Sequence, residues 1–206
     1  MKRKKMISWI ALITMAIIPV CAQVNESESD FKTHPIDDGK GLEITGYVGG
    51  SNEIHIPSQL HDLPVTSIGR GAFREHIFIT HVIIPNSVTT IGVGAFWGCN
   101  NLLDVTIPDS VTTIGDEVFS GCSKLASITI PGSITRIGKN AFSDCTNLIR
   151  VIFQGTIASS GFNNDSKFPS FLGDLRSKFY ATDRSNGTPG TYIRTSRTTT
   201  RWTKQS

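Results

Sequence analysis

The stretch SVTTIGDEVFSGCSKLASITIP at residues 110–131 decides the fold, because the chain repeats it in neighbouring segments. SVTTIGVGAFWGCNNLLDVTIP occupies residues 87–108, and SITRIGKNAFSDCTNLIRVIF occupies residues 133–153. Aligned on the Ile-Gly pair, the segments follow one another at intervals of 23 residues. The same interval recurs for Ile (68, 91, 114, 137), Phe (73, 96, 119, 142), Ile/Leu (79, 102, 125, 148) and Val/Ile (82, 105, 128, 151).

Each repeat contains a strand with one buried face. In LLDVTIP, Val105 and Ile107 alternate with Thr106, so the two apolar side chains should face inward and Thr106 outward. A period of 20–29 residues with Leu-x-x-Val-x-Ile in each unit is typical of a leucine-rich-repeat solenoid. Stacked units would pair these strands into a parallel sheet and bury a continuous apolar ladder behind it.

The repeat therefore predicts a β-rich α/β fold, a solenoid of 23-residue coils with its parallel sheet on the concave side. SVTTIG predicts a second short strand on another side of each coil. The segments AFWGC and VFSGC predict one helical or 3₁₀ turn that inserts Phe into the core. The glycines after the conserved Ile are expected to turn the chain at positive φ; they are Gly69, Gly92, Gly115 and Gly138.

The two ends of the chain differ from the repeats. Residues 1–22 combine a basic start with an apolar run at 6–20, which predicts a signal peptide cleaved before Gln23; a lipid anchor on Cys21 is the alternative. Residues 23–36 are polar and acidic and predict a flexible linker. We then expect an N-terminal cap coil at 37–65, repeats at 66–155 and a C-terminal cap at 156–206. This second cap should contain one or two strands and a lid helix presenting Phe168, Leu172, Leu175 and Phe179.

Three sets of residues invite a chemical interpretation that the repeat explains differently. GRGAF and GVGAF resemble a phosphate loop, but Glu117 and Asn140 replace the second Gly in later coils. Cys99, Cys122 and Cys145 occupy one inward column, so we expect buried thiols, with a disulfide as the alternative. The five His residues lack metal-ligand spacing. The sequence thus predicts a protein that is not an enzyme and has no cofactor or metal site.

Charge is distributed unevenly along the chain. From Arg150 onward, nine Lys and Arg residues face three Asp residues. This asymmetry leaves open a polyanion-binding site, for a heparin-like glycan and not for nucleic acid, on the C-terminal cap. The candidate cations are Arg184, Arg194, Arg197, Arg201 and Lys204.

The strand positions between the inward residues are the candidate ligand-binding set, because they vary from coil to coil. Several of them are apolar where solvent is expected, which favours a contact surface. The set consists of Thr80, His81, Ile83, Leu103, Asp104, Thr106, Ala126, Ser127, Thr129, Ile149, Arg150 and Ile152.

The wording SVTTIGxxAFxGCxxLxxVTIP resembles the BspA-like leucine-rich repeats, especially those of the treponemal proteins. The resemblance covers residues 37–155. It implies an exported protein, secreted, periplasmic or at the cell surface, that adheres to a host extracellular-matrix protein or another bacterial surface protein without catalysis. A structural envelope protein without a host ligand is the alternative. Contact with a membrane is expected only through a lipid on Cys21.

Overall fold

The computed structural model describes residues 27–162, 171 and 173–205 and shows a β-solenoid. One side carries the Ile-Gly strands; we call it the Ile-Gly side. Its sheet has the order β1-β2-β5-β7-β9-β11, with β4 paired to β5. The strands of this side are β1 Phe31–Ile36, β2 Gly41–Tyr47, β4 Gln59–Leu60, β5 Leu63–Ile68, β7 Thr90–Ile91, β9 Thr113–Ile114 and β11 Arg136–Ile137.

The other side carries the Leu-x-x-Val-x-Ile strands, and we call it the Leu-Val-Ile side. Its strands form two sheets, β3-β6-β8 and β10-β12-β13-β14. They are β3 Glu53–His55, β6 His81–Ile83, β8 Asp104–Thr106, β10 Ser127–Ile130, β12 Arg150–Phe153, β13 Gly190–Ile193 and β14 Thr203–Lys204. The α-helix α1 spans Leu175–Phe179, and 3₁₀ turns lie at Glu28–Asp30 and Asp37–Gly39.

The strand register confirms the predicted period. Val82 pairs with Val105 in β6 and β8, and Ile91 pairs with Ile114 in β7 and β9, in both cases between parallel strands. Equivalent residues therefore lie directly over one another, so a residue type that packs well in one coil packs well in the next.

The core is a stack of aromatic rings along the solenoid. Phe73, Phe96 and Phe119 are fully buried, with ring centroids 5.0 and 5.5 Å apart and nearly parallel planes. The stack continues through Phe142 to Phe171, and at the other end Tyr47 packs on Phe73. Offset stacking of this kind adds to the hydrophobic stabilisation from burial.

The three cysteines lie beside this stack as buried free thiols, as predicted. The Sγ atoms of Cys99, Cys122 and Cys145 donate to the carbonyl oxygens of Phe73, Phe96 and Phe119, at 3.0, 3.3 and 3.1 Å. Burial raises the pKa of Cys99 and Cys145 to about 12, so the thiols remain protonated.

His76 takes the cysteine position in the first coil. Its Nε2 lies 2.9 Å from the carbonyl oxygen of Tyr47, the residue that begins the ring stack. In each coil, therefore, one side chain contacts the carbonyl oxygen of an aromatic residue in the preceding coil. His76 makes this contact with the N-terminal cap.

The prediction of positive φ at the glycines after the conserved Ile is wrong, because none of them adopts a positive φ. They are glycines because the preceding coil leaves no room for a side chain: a Cβ at Gly92 would lie 2.8 Å from the backbone nitrogen of Arg70. The positive φ occurs two residues later, and the residues there are Gly71, Gly94, Glu117 and Asn140.

The interpretation of GRGAF and GVGAF as structural turns agrees with their hydrogen bonds. The backbone N–H groups of Gly71 and Gly94 donate to Val93 and Asp116 carbonyl oxygens of the next coil, at 3.1 and 2.9 Å. These donors join coils and are not directed at a ligand.

The predicted linker at 23–36 is wrong from Phe31 onward. Strand β1 pairs with β2 in antiparallel orientation, with Phe31 opposite Tyr47. Phe31 is buried, and its ring centroid lies 5.3 Å from that of Tyr47. The segment is ordered because Phe31 is buried and β1 pairs with β2, although its polar composition predicts flexibility. Residues 1–26, with the predicted signal peptide and the first part of the linker, lie outside the described residues.

The N-terminal cap contains a tight hairpin. Leu60 pairs with Leu63 in antiparallel orientation, and both connecting residues, His61 and Asp62, have positive φ. Two consecutive residues of positive φ characterise the turn that best matches the twist of a two-residue hairpin.

At the other end, β13 and β14 add antiparallel strands to β12, which confirms the predicted strands of the C-terminal cap. Leu175 and Phe179 of α1 are buried as the lid prediction requires, whereas Phe168 and Leu172 lie outside the described residues. Within the described part of the chain, no helix is long and apolar enough to cross a bilayer.

Candidate protein-binding face

The twelve candidate residues lie together on the outward surface of the Leu-Val-Ile side, and none is buried. The parallel register places His81 next to Asp104, and Thr129 next to Ile152. The inward neighbours Val82, Val105, Ile128 and Val151 are buried, so the alternation predicted from sequence holds. We call these twelve residues the outward face.

The outward face exposes more apolar surface than a strand facing water needs. Ile83, Leu103 and Ile149 are 44, 46 and 39% exposed, and Ile152 is partly exposed. Contiguous exposed apolar surface with a polar rim is a feature of protein contact sites.

Polar groups on the first coil of the face are held in place. Thr80 Oγ1 donates to the carbonyl oxygen of Asn52 at 3.0 Å and lies 3.0 Å from His81 Nδ1. The same His81 nitrogen is 3.9 Å from Glu53 Oε1. This corner therefore presents an ordered set of hydrogen-bonding groups beside the apolar residues.

The outward face is interrupted between its second and third strands, β8 and β10. Strands β3, β6 and β8 form one sheet, β10 and β12 belong to another, and β8 is not paired with β10. A cleft of about 370 Å³ opens at this junction. It is lined by Asn86, Asp104, Val105, Thr106, Ile107, Pro108, Asp109, Ser127, Ile128, Thr129 and Gln154.

Some exposed residues were missed by the sequence prediction. Asn86, Asp109 and Gln154 follow the strands and line the cleft although they lie outside the predicted set. Ile77 and Phe78 are 47 and 71% exposed, just before β6. Ile77 and Phe78 could have been recognised from the sequence because they are apolar, whereas the next coil carries polar Asn100 and Asn101 at the same positions.

The structure removes Arg194 from the predicted polyanion site. Its side chain is only 3% exposed and lies with its guanidinium 5.6 Å from the ring centroid of Trp202. The guanidinium donates to backbone carbonyls: Nε to Leu148 at 2.6 Å and Nη2 to Thr146 at 2.8 Å, with Nη1 reaching two more in the 197–199 loop. Arg194 joins the C-terminal cap to the last coil, whereas Arg184, Arg197, Arg201 and Lys204 are exposed.

Within the described residues, no three His, Cys, Asp or Glu side chains are grouped so that they could hold a metal ion. The half-buried His76 and His81 both have hydrogen-bonding partners: the carbonyl oxygen of Tyr47 for His76 and the hydroxyl of Thr80 for His81.

Sequence comparison places the repeats in a known family. Six copies of the BspA type leucine rich repeat region match residues 52–171, which is more than half of the chain. The chain belongs to this family. No curated protein matches the chain.

Solved structures of leucine-rich-repeat proteins resemble the chain. The protein from Treponema pallidum is 34% identical with a TM-score of 0.59, and the match covers 60% of this chain and 58% of that one. A protein from Bacteroides capillosus is 32% identical with a TM-score of 0.55, covering 61 and 95% of the two chains. A Bacteroides ovatus protein is 31% identical with a TM-score of 0.50, covering 59 and 39%. The chain thus spans less than two thirds of the first and last of these relatives.

Proposed function

We propose that this BspA-type repeat protein is an exported, non-catalytic binding module whose outward face contacts another protein. The observation that carries the proposal is the exposure of Ile83, Leu103 and Ile149 along two adjoining sheets whose inward residues are buried. The partner is a host extracellular-matrix protein or a surface protein of another bacterium.

The physical basis is preorganisation. The outward side chains are attached to strands whose neighbours are stacked in register, so little backbone order must be acquired on binding. Exposed apolar residues interspersed with Thr, Ser and Asp give this surface the two kinds of side chain found in protein interfaces. Export is inferred from the basic and apolar character of residues 1–22.

A pair of charge-introducing variants tests the proposal. The chain from Gln23 onward is used to capture proteins from extracellular-matrix extracts and bacterial surface fractions, and the affinity of the captured partner is measured. Leu103→Asp combined with Ile152→Asp should lower that affinity by at least about tenfold, because two apolar contacts are replaced by desolvated charges.

The control is Val48→Asp combined with Val93→Asp, which changes two exposed valines outside the outward face. Both double variants must retain the melting temperature of the original protein within a few degrees. If the outward-face variant binds the captured partner as tightly as the control, another surface carries the interaction.

A further inference from the structure

The junction between β8 and β10 differs from the other junctions of the Leu-Val-Ile side. At the preceding junction, Leu103 N–H donates to the Thr80 carbonyl oxygen at 2.8 Å, and at the following one Ile149 N–H donates to the Ala126 carbonyl oxygen at 3.0 Å. The equivalent bond from Ala126 N–H to Leu103 is absent from the described residues. The strands are therefore separated where the cleft opens.

The junction is also open at the C-terminal ends of β8 and β10. Ile84 N–H donates to the Thr106 carbonyl oxygen at 3.3 Å between the first and second coils. The matching bond from Ile107 N–H to Thr129 is not formed, although Ile107 is only 7% exposed. Buried backbone groups normally have partners, so the open junction leaves the Ile107 N–H to water, and the facing carbonyl oxygens to water or to a donor of a ligand.

The separation is local. Just before these strands, Lys124 N–H still donates to the Asn100 carbonyl oxygen at 3.2 Å. On the Ile-Gly side β7, β9 and β11 remain paired through the same coils. The cleft is thus a slot between two sheets on one side of an otherwise continuous stack.

The walls of the slot favour a cation. Asp104 and Asp109 both line it, no Lys or Arg is among its lining residues, and neither carboxylate forms an ion pair within the described part of the chain. The carbonyl oxygen of Leu103, which directly precedes Asp104, accepts no backbone hydrogen bond across the junction. A guanidinium or ammonium group carries several donors and no acceptor, and therefore matches such a set.

The size and surroundings favour one long side chain. A volume of about 370 Å³ is at the lower end of the range for ligand pockets. Leu103 and Ile83 expose apolar surface on the adjoining strands, against which the methylene stem of a basic side chain can pack.

We propose that the slot between β8 and β10 receives an arginine or lysine side chain of the protein partner, with Asp104 and Asp109 as its counter-charges. This inference rests on the proposed protein-binding function of the outward face and identifies the chemistry of its central contact.

The experiment uses N-acetyl-L-arginine amide as the probe, titrated into the ¹⁵N-labelled chain from Gln23 onward. The amides of Ala126, Ser127 and Ile107 should shift in a saturable way. N-acetyl-L-citrulline amide has nearly the same shape without the charge and should bind at least about tenfold more weakly. Asp104→Asn combined with Asp109→Asn should weaken arginine-amide binding by a similar factor, whereas Asp62→Asn, an exposed residue outside the slot, should leave it unchanged.

The inference is overturned if no saturable shift appears at these amides, if citrulline amide binds equally well, or if the Asp104 and Asp109 variant retains the response. In each case the slot holds water only. Such a result leaves the proposed function intact as long as partner capture still depends on Leu103 and Ile152. Loss of that dependence, with arginine-amide binding retained, would instead refute the proposed function alone.

Discussion

Single residues in this chain are constrained by the coil above and the coil below. Cys99, Cys122 and Cys145 illustrate the constraint, since each thiol donates to a carbonyl of the preceding coil and has no contact with water. Serine or alanine at these positions would lose either the fit or the hydrogen bond. The residue type is set by a packing environment that recurs every 23 residues.

The buried thiols should make the protein less stable at alkaline pH. Burial raises the folded-state pKa of Cys99 and Cys145 to about 12 from an ordinary value near 9, and raises that of Cys122 as well. Above pH 9 the unfolded chain therefore releases protons that the folded chain retains, so the free energy of unfolding falls between pH 9 and pH 12. Each thiol should contribute a slope on the order of 1 kcal/mol per pH unit.

Urea unfolding at a series of pH values measures this slope, and Cys122→Ala should reduce it by the share of one thiol. The thiols should also react with Ellman's reagent only in denaturant. Rapid reaction of the native protein at pH 8 would contradict the buried positions.

A second residue prediction separates crowding from backbone torsion in the glycine columns. Gly92→Ala should destabilise by about 1–3 kcal/mol, because its Cβ would lie 2.8 Å from backbone atoms of the preceding coil. Gly94→Asn should change stability by less than about 1 kcal/mol, since Asn140 already adopts this positive φ in a later coil. Urea unfolding of the two variants provides the comparison, and an equal loss in both would refute the distinction.

At the scale of the element, the repeating strands and turns were predictable because their inward residues recur in register. Three features escaped that pattern for physical reasons. A single Phe31 is enough to anchor β1 within an acidic stretch, and Arg194 in a Thr- and Arg-rich segment gives no sign that backbone carbonyls will surround it. The open junction between β8 and β10 has the same residue alternation as its closed neighbours, so only the backbone reveals it. The outward positions followed from alternation, whereas their role as a binding face remains a prediction.

The C-terminal cap should depend on the geometry of Arg194. Arg194→Lys keeps the charge but cannot reach the carbonyls of Thr146, Leu148, Arg197 and Thr199 together. The expected loss is about 2–4 kcal/mol, because buried acceptors lose charge-assisted hydrogen bonds. Thermal and urea unfolding measure it, with Arg201→Lys as the exposed control. Equal stability of the two variants would mean that the buried bonds add nothing.

The described residues of the whole molecule form a short array with antiparallel strands added at each end. At the first coil β1 covers the stack with an antiparallel strand, and at the last coil β13 and β14 do the same. The interior coils stack on one another through parallel pairs, so an antiparallel strand at each end does not continue the repeat pairing, and these strands serve as caps.

Processing of the precursor is a prediction for the whole chain. We expect the exported protein to begin at Gln23, since small residues precede that position and an apolar run precedes them. Intact-mass spectrometry of protein recovered from the cell envelope and medium measures the N-terminus. A diacylglycerol adduct on Cys21 would establish the lipid-anchored alternative, and retention of residues 1–22 would contradict both.

The capped ends and the repeating coils also determine how the gene for this protein can gain or lose repeats. Each interior coil meets only its two neighbours, and equivalent residues superpose from coil to coil. Recombination between repeats that adds or deletes one 23-residue unit would therefore leave both caps intact. It would also preserve the register in which equivalent residues of neighbouring coils contact one another. The outward face would lengthen or shorten by one strand spacing, about 4.8 Å. Changes in binding specificity can thus arise by duplication or deletion of whole repeats, without an intermediate sequence that fails to fold.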